Sequence, residues 1–261
     1  MWIQELWRYP VKSMAGERIE SAEVTGAGIV GDRTVLVAGP RGRIITSRTH
    51  PRLLGLRGTL APDGRTLVNG KPWDDPEVAA AVRAAAGPEA RLVSYEGPER
   101  FDVLPLLIGT DGAFEQLGVD HRRLRPNLVI GGVDGLVERS WPGRRLRVGS
   151  AIASVVKLRS RCVMTTYDPD TLEQDLSVLR RIASEFGGEM ALDCAVVGGG
   201  RIAVGDPVEL LDTEDALGTS EGGLRPPFRT SPGRWEARAN PRSNVDHSAG
   251  GGSSDVTRTN A

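Results

Sequence analysis

Cysteine is nearly missing from this chain. Only Cys162 and Cys194 occur in 261 residues, which excludes a disulfide framework and fits a reducing compartment. Histidine is almost as scarce: His50, His121 and His247 are scattered, and neither zinc spacing nor a local Cys/His pair can be read. No apolar run approaches the ~18 residues of a membrane span. The opening "MWIQELWRYPVKSM" has no basic segment leading into an apolar one, so no secretory leader is expected. The expectation is a cytoplasmic protein with no membrane partner.

A large charge imbalance is also lacking, since the formal net charge is −1. Lysine is rare: Lys12, Lys71 and Lys157 are the lysines, and arginine supplies the rest of the 33 basic residues. With 39% hydrophobic and 26% charged residues, the chain reads as one or two globular domains with a real core. Charge is uneven along it. From Asp120 to Arg161 nine arginines and Lys157 stand against Asp120, Asp134 and Glu138. That excess suits a phosphate-bearing ligand or an anionic partner, although a solvated face is the commoner cause. No recognised nucleic-acid motif accompanies it, so no nucleic-acid partner is expected.

What is present is mostly strand signal. "RIESAEVTG", "RTVLVAG" and "RIITSR" are rich in β-branched residues, with the turns "GPRGR" and "PDGR" between strands. A helix is predicted after Asp74 or Asp75, with Pro76 first, through "EVAAAVRAAA" to Gly87. A short helix fits "DGAFEQLG", and "PNLVIGG" returns to strand. "LRVGSAIASVVKLRSRC" reads as two strands turning at Gly149. Leu172, Leu176, Leu179, Ile182 and Phe186 predict a core-facing helix from about Asp170 to Phe186. "LDCAVVGGGRIAVGDPVELL" reads as a hairpin and a last strand. After Leu211 the chain turns Gly-, Ser-, Pro- and Arg-rich, and residues 213–261 are expected to be disordered, with Phe228 and Trp235 as stray aromatics.

"GAGIVG", residues 26–31, has the spelling of a dinucleotide loop, but a strand-like run follows where a helix should open. It reads as a turn. "LRSRCVMTTYDPDT", residues 158–171, is more suggestive, because it sets Cys162 beside Arg159 and Arg161. Guanidinium groups favour the thiolate, the form that attacks electrophiles and binds soft metals. The alternative is a small, inert hydrophobe at the end of a buried strand. Cys194 reads as a buried strand residue.

Short features recur in a definite order: "YPVKSM", "GDR", "SRTHPRLL", "RPNLVIGG", "RCVMTTYDPDT", "FGG" and "IAVGDPVELL". In this order they resemble the MOSC family, in the branch of the mitochondrial amidoxime-reducing component and its bacterial relatives, over roughly residues 1 to 211. The resemblance implies an α+β, mainly β fold: a MOSC β-barrel at 101–212 with a β-rich N-terminal region at 1–100. It implies a molybdenum–molybdopterin cofactor, with Cys162 as metal ligand and catalytic centre. It further implies cofactor contacts from Lys12, Ser13, Arg33, Arg125, Asn127, Ser160 and Arg161, and from Thr110 and Asp111. Pyridoxal phosphate binding is a further association at family level.

The implied activity is reduction of small N-hydroxylated substrates at a cysteine-ligated molybdenum. The alternative is a non-enzymatic carrier of the cofactor, or of sulfur as a Cys162 persulfide. The mitochondrial relatives have a membrane anchor, and some bacterial ones a ferredoxin-like domain; neither is read here. Electrons are therefore expected from a separate donor protein of ferredoxin, flavodoxin or cytochrome type. No proton donor is named, and Asp168 and Asp170 are read as possible caps of the following helix.

Overall fold

Along Ala151–Ser160, Ala151, Ala153 and Val155 are buried while Ile152 and Ser154 are less so, the two-residue period of a strand with one face on a core. This is one of the longest strands in the computed structural model, which describes residues 1–211. The tail expected to be disordered, 213–261, with Phe228 and Trp235, lies outside the described residues. The strand pairs antiparallel with Arg145–Val148 through the turn at Gly149, and with Glu189–Gly198 on its other side. Gly149 has φ +54°, and an added Cβ would meet the Asp206 carboxylate at 2.5 Å, so this turn requires glycine.

Eight strands join in the order Val208–Leu211, Arg145–Val148, Ala151–Ser160, Glu189–Gly198, Leu106–Thr110, Leu128–Gly131, Trp2–Arg8 and Glu17–Ile19. Only Leu106–Thr110 and Leu128–Gly131 run parallel within this sheet. The sheet curls until Trp2–Arg8 returns against the segment before Val208. There Ile3 N donates to Asp206 O, Gly205 N to Ile3 O and Val208 N to Met1 O, beside an isolated bridge between Trp2 and Pro207. Closure thus rests on a few bonds and no continuous ladder, giving a barrel-like sheet around Ile3, Leu6, Ile108, Ile130, Leu146, Val155, Leu192 and Cys194.

The first strand of the chain is therefore part of the C-terminal sheet. Glu17–Ile19 joins that sheet too and Ala22, Val24 and Ile29 pack into its core, while Val11, Met14 and the segment from Val35 to Ala90 build a core of their own. Val35–Ala38 pairs with Arg91–Ser94 and Ile44–Ile45, and Gly58–Leu60, Thr66–Val68 and Lys71–Pro72 form a second small sheet. Helix α1, Pro76–Ala86, lies where predicted: Asp75 accepts from Glu77 N and Gly87 ends it. Val78, Val82 and Ala86 pack against Val35, Val37 and Leu53. Helix α2, Asp111–Leu117, is also as predicted, capped by Thr110.

Two expectations are corrected. Ser21–Thr25 pairs with Gly200–Ala203, so the run from Leu192 to Leu211 is not a hairpin; its strands leave for three different partners. Helix α3 spans Leu176–Glu185 and begins at Asp175, whose side chain accepts from Ser177 N. Leu172 lies before it with φ +61°, held in a turn where Asp168 accepts from Asp170 N and Thr171 N. Asp168 thus caps that turn and not a helix. The buried stripe of α3 is Val178, Ile182 and Phe186, packed on Phe114, Leu117 and Met190.

One buried acid yields a test. Glu138 is 1% exposed and neither carboxylate oxygen has a hydrogen-bond partner, so burial pushes its carboxyl up. The stability tied to its proton is full below the unfolded value of about 4.3 and is lost as pH rises through the raised one. Glu138→Gln should therefore stabilise the protein at pH 7–8 by about 1 kcal/mol or more, and the gain should vanish toward pH 4. Urea unfolding at a series of pH values checks this; a pH-independent difference contradicts it.

Candidate functional site

Cys162 stands where the strand Ala151–Ser160 runs out. Arg161 N still pairs with Gly188 O, and the Cys162 carbonyl then accepts from Thr165 N and Thr165 Oγ1 as the turn Val163–Thr166 begins. The main chain thereby fixes the thiol at a strand end, partly exposed. It lines a cavity of about 170 Å³.

Both halves of the chain form the walls. Lys12, Ser13, Arg33, Thr46 and Arg48 come from the first; Asp102 and Val103 from the connection; and Leu107, Arg123 to Arg125, Lys157, Arg159 to Cys162, Met164 and Asp193 from the second. Seven sequence candidates thus meet here: Lys12, Ser13, Arg33, Arg125, Ser160, Arg161 and Cys162. Three do not. Asn127 is buried behind the wall, donating to Trp7 O and Asp32 Oδ2 and accepting from Leu107 N. Thr110 caps α2, and Asp111 accepts from the backbone of Gly112, Gly132 and Val133. Both sit at the far end of Leu106–Thr110, with Leu107 at the cavity. Four residues of strand span roughly 13 Å, which sequence order does not reveal.

Positive charge dominates the lining: two lysines and six arginines face Asp102 and Asp193. Asp102 takes Lys12 Nζ at 2.9 Å, Arg48 Nη2 at 3.0 Å and Arg159 Nη2 at 3.5 Å. Burial alone would push its carboxyl up, but Lys12, Arg48 and Arg159 outweigh it and hold the group well below the usual carboxylate range. Burial pulls Lys12 down against the pull of Asp102, and its ammonium also donates to Glu99 O and Arg100 O. Arg159 donates to Asp193 Oδ1 at 2.8 Å, leaving Asp193 Oδ2 buried and unpartnered. Burial pushes the Asp193 carboxyl up, with Arg159 opposing.

The arginines flanking Cys162 are committed elsewhere: Arg159 to the two aspartates, and Arg161 Nη2 to Leu124 O at 2.7 Å. Burial, reinforced by Arg159, pushes Arg161 down to about 10. Arg48 joins the sulfur to the ion pairs. Its guanidinium is held above its ordinary value first by Asp102 and, against burial, by Cys162.

Three wall residues have unusual backbones: Ser13 at φ +73°, Arg33 at +54° and Arg125 at +59°. A left-handed arginine costs about 1–3 kcal/mol and persists only where its surroundings hold it. Here the holder is Tyr9. Arg125 lies 4.3 Å and Arg33 5.0 Å from its ring centre, its hydroxyl donates to Pro126 O, and its backbone N–H donates to Asp32. Burial pushes that phenol up to about 12, so Tyr9 stays neutral beneath two cations.

The pattern "SRTHPRLL" contains Arg48 but gives it no role. Asp102 carries no signal in the sequence, and Asp193 stands in it only as part of a strand. The local arginine excess is split: Arg122 pairs with Asp120 and Asp170, Arg123 with Asp168, and Arg139 with the carbonyls of Phe186 and Glu189. Among the described residues no group of three or more His, Cys, Asp or Glu is placed to hold a metal ion. No helix among them is long and apolar enough to cross a membrane.

Known proteins are similar to this chain in sequence. Mitochondrial amidoxime-reducing component 1 of Homo sapiens is 28% identical over 284 residues, covering 80% of this chain and 82% of its own. Mitochondrial amidoxime reducing component 2 of Homo sapiens is 27% identical over 229 residues, covering 65% and 67%. Among solved structures, the YUAD protein from Bacillus subtilis is a distant likeness, with a TM-score of 0.41 at 14% identity over 80% of this chain and 93% of that one. Residues 1–97 match the MOSC N-terminal beta barrel domain and residues 107–209 the MOSC domain, so the connection bearing Asp102 falls between the two matches. With both domains present in order, the chain belongs to the MOSC family.

Proposed function

We propose that this protein holds a molybdenum–molybdopterin cofactor in the Cys162 cavity and reduces N-hydroxylated compounds there. One observation carries the reading: a single partly exposed thiol stands in a cavity whose wall has eight cationic side chains against two carboxylates. A lone thiolate is one soft donor, and among the described residues no protein cluster could complete a metal site. That donor set fits a metal that arrives on an anionic, phosphate-bearing cofactor. The unpartnered Arg123 Nε and Arg161 Nε are spare donors at the wall.

In this reading Cys162 would ligate the metal. Lys12, Arg33, Arg125 and Arg161 would receive anionic oxygens, Arg as a planar fork and Lys as a point charge. Ser13 and Ser160 offer hydroxyls to a pterin edge. When bound, the group supplies two-electron chemistry at an N–O bond. An amidoxime takes two electrons and two protons, its N–O bond breaks, and an amidine and water leave. Of the two lining carboxyls, Asp102 is held ionised by its three cations, while burial pushes Asp193 up against the pull of Arg159. Pyridoxal phosphate has no supporting observation at this site.

No electron source within the chain is part of the proposal; a separate ferredoxin, flavodoxin or small cytochrome supplies the electrons. The test is to purify the protein from a host that makes the pterin cofactor. It should contain about one molybdenum per chain, as one ligand thiol requires. It should reduce an amidoxime with reduced viologen and stay inactive with NADH or NADPH alone. Molybdenum without turnover would favour a cofactor carrier, and a metal-free protein would end the reading.

A further inference from the structure

A second cavity, of about 310 Å³, opens beside the first and shares Arg123, Arg125 and Met164 with it. Its other walls include Trp7, Arg57 and Tyr167. The volume is informative, because a cavity of about 150 Å³ already holds a benzene. This one has room for a ring and two small substituents.

Its charges do not cancel. Arg122 is met by Asp120 and Asp170, and Arg123 by Asp168. Arg125 meets no carboxylate and lies over the Tyr9 ring. Arg57 is exposed and has no side-chain ion pair among the described residues. Arg57 therefore remains for an outside anion, with Arg125 on the wall shared with the first cavity, and the fork of an arginine matches a carboxylate. Arg33 and Arg125 already lie over Tyr9, so ring contact falls to the half-buried Trp7 and Tyr167.

We propose that this cavity receives the non-reacting end of the substrate, a planar ring bearing a carboxylate bound by Arg57. The N-hydroxylated group then reaches past the shared wall toward Cys162. Only that last clause rests on the reductase reading; capture of the ring and its carboxylate does not.

Two measurements test it. In calorimetry, 4-amidinobenzoate should bind the wild-type protein, and Arg57→Ala should weaken binding by about tenfold, the loss of one charge-assisted contact. In turnover, kcat/KM for 4-carboxybenzamidoxime relative to benzamidoxime should fall by a similar factor, with partial recovery in Arg57→Lys. Arg52→Ala, exposed and outside both cavities, should change neither. Failure of the wild type to bind 4-amidinobenzoate overturns the proposal, as does unaltered binding in Arg57→Ala. A drop in molybdenum content in Arg57→Ala would give the cavity to the cofactor and overturn it too. Calorimetry as expected in a protein without molybdenum or turnover would support the pocket and end the reductase reading.

Discussion

Cys162→Ser should abolish amidoxime turnover while leaving the fold intact. The loss should exceed the ~10–100-fold that removal of an outer partner of a metal site costs, because a serine hydroxyl does not replace a soft thiolate donor. The fold should survive because the structural work at this position is done by the main chain. It is the Cys162 carbonyl that Thr165 N and Oγ1 bind. The thiol itself lines the cavity and is partly exposed. Cys194 makes the opposite control. It is wholly buried in Glu189–Gly198, and burial pushes its thiol far up. Cys194→Ser should lower stability by about 1–3 kcal/mol, the cost of burying a poorly met hydroxyl. Activity per folded molecule and the metal's electronic spectrum should stay those of the wild type. Turnover, molybdenum content, that spectrum and circular dichroism separate the two variants. Equal activity in wild type and Cys162→Ser would end the metal-ligand reading.

The strand-end position of Cys162 was legible because a ten-residue β run breaks at "RSRC" and acids with turn formers follow. The helices α1 and α2 were legible for local reasons: Asp75, Pro76 and Gly87 punctuate the first, and the run "DGAFEQLG" ends the second at Gly118. Leu172 misled because helical spacing alone does not say where a helix starts. Asp168 and the Tyr167–Gln174 bridge hold that residue in a turn. The hairpin at residues 192–211 misled for another reason. Two adjacent strands satisfy a hairpin pattern, and only the fold shows that Gly200–Ala203 has left to pair with Ser21–Thr25. The site shows the same limit. Thr110 and Asp111 share a strand and its cap with the cavity-lining Leu107, yet lie at the other end. Arg48 and Asp102 meet across 54 positions of chain, and nothing local in either segment signals the other.

Lys12→Met should cost stability and cofactor together, and Asp102→Asn should cost only the first. Lys12 is 8% exposed, and its ammonium serves Glu99 O, Arg100 O and the Asp102 carboxylate. Its removal leaves two carbonyls short of a donor and Asp102 with two cations where it had three. The expected loss is about 1.5–3 kcal/mol, below the ~3–5 of a broken, fully buried pair, because Arg48 and Arg159 remain. Asp102 also fixes the pH dependence. Its carboxyl is depressed in the fold, so its contribution is full above the unfolded value of about 3.9 and is lost as pH falls below that value toward the depressed one. Asp102→Asn should remove this acid-side component, and its cost should shrink in a Lys12→Met background, since neighbours in one ion-pair network couple. Cofactor content should move differently. Lys12→Met subtracts a cation from the wall, whereas Asp102→Asn removes a negative charge and frees Lys12, Arg48 and Arg159 for an anionic ligand. Molybdenum per chain should therefore fall in the first variant and hold or rise in the second. Equal molybdenum in both would mean that Lys12, Arg48 and Arg159 hold the fold and not the cofactor, and strictly additive losses of stability would mean that Lys12 and Asp102 are not coupled in one network.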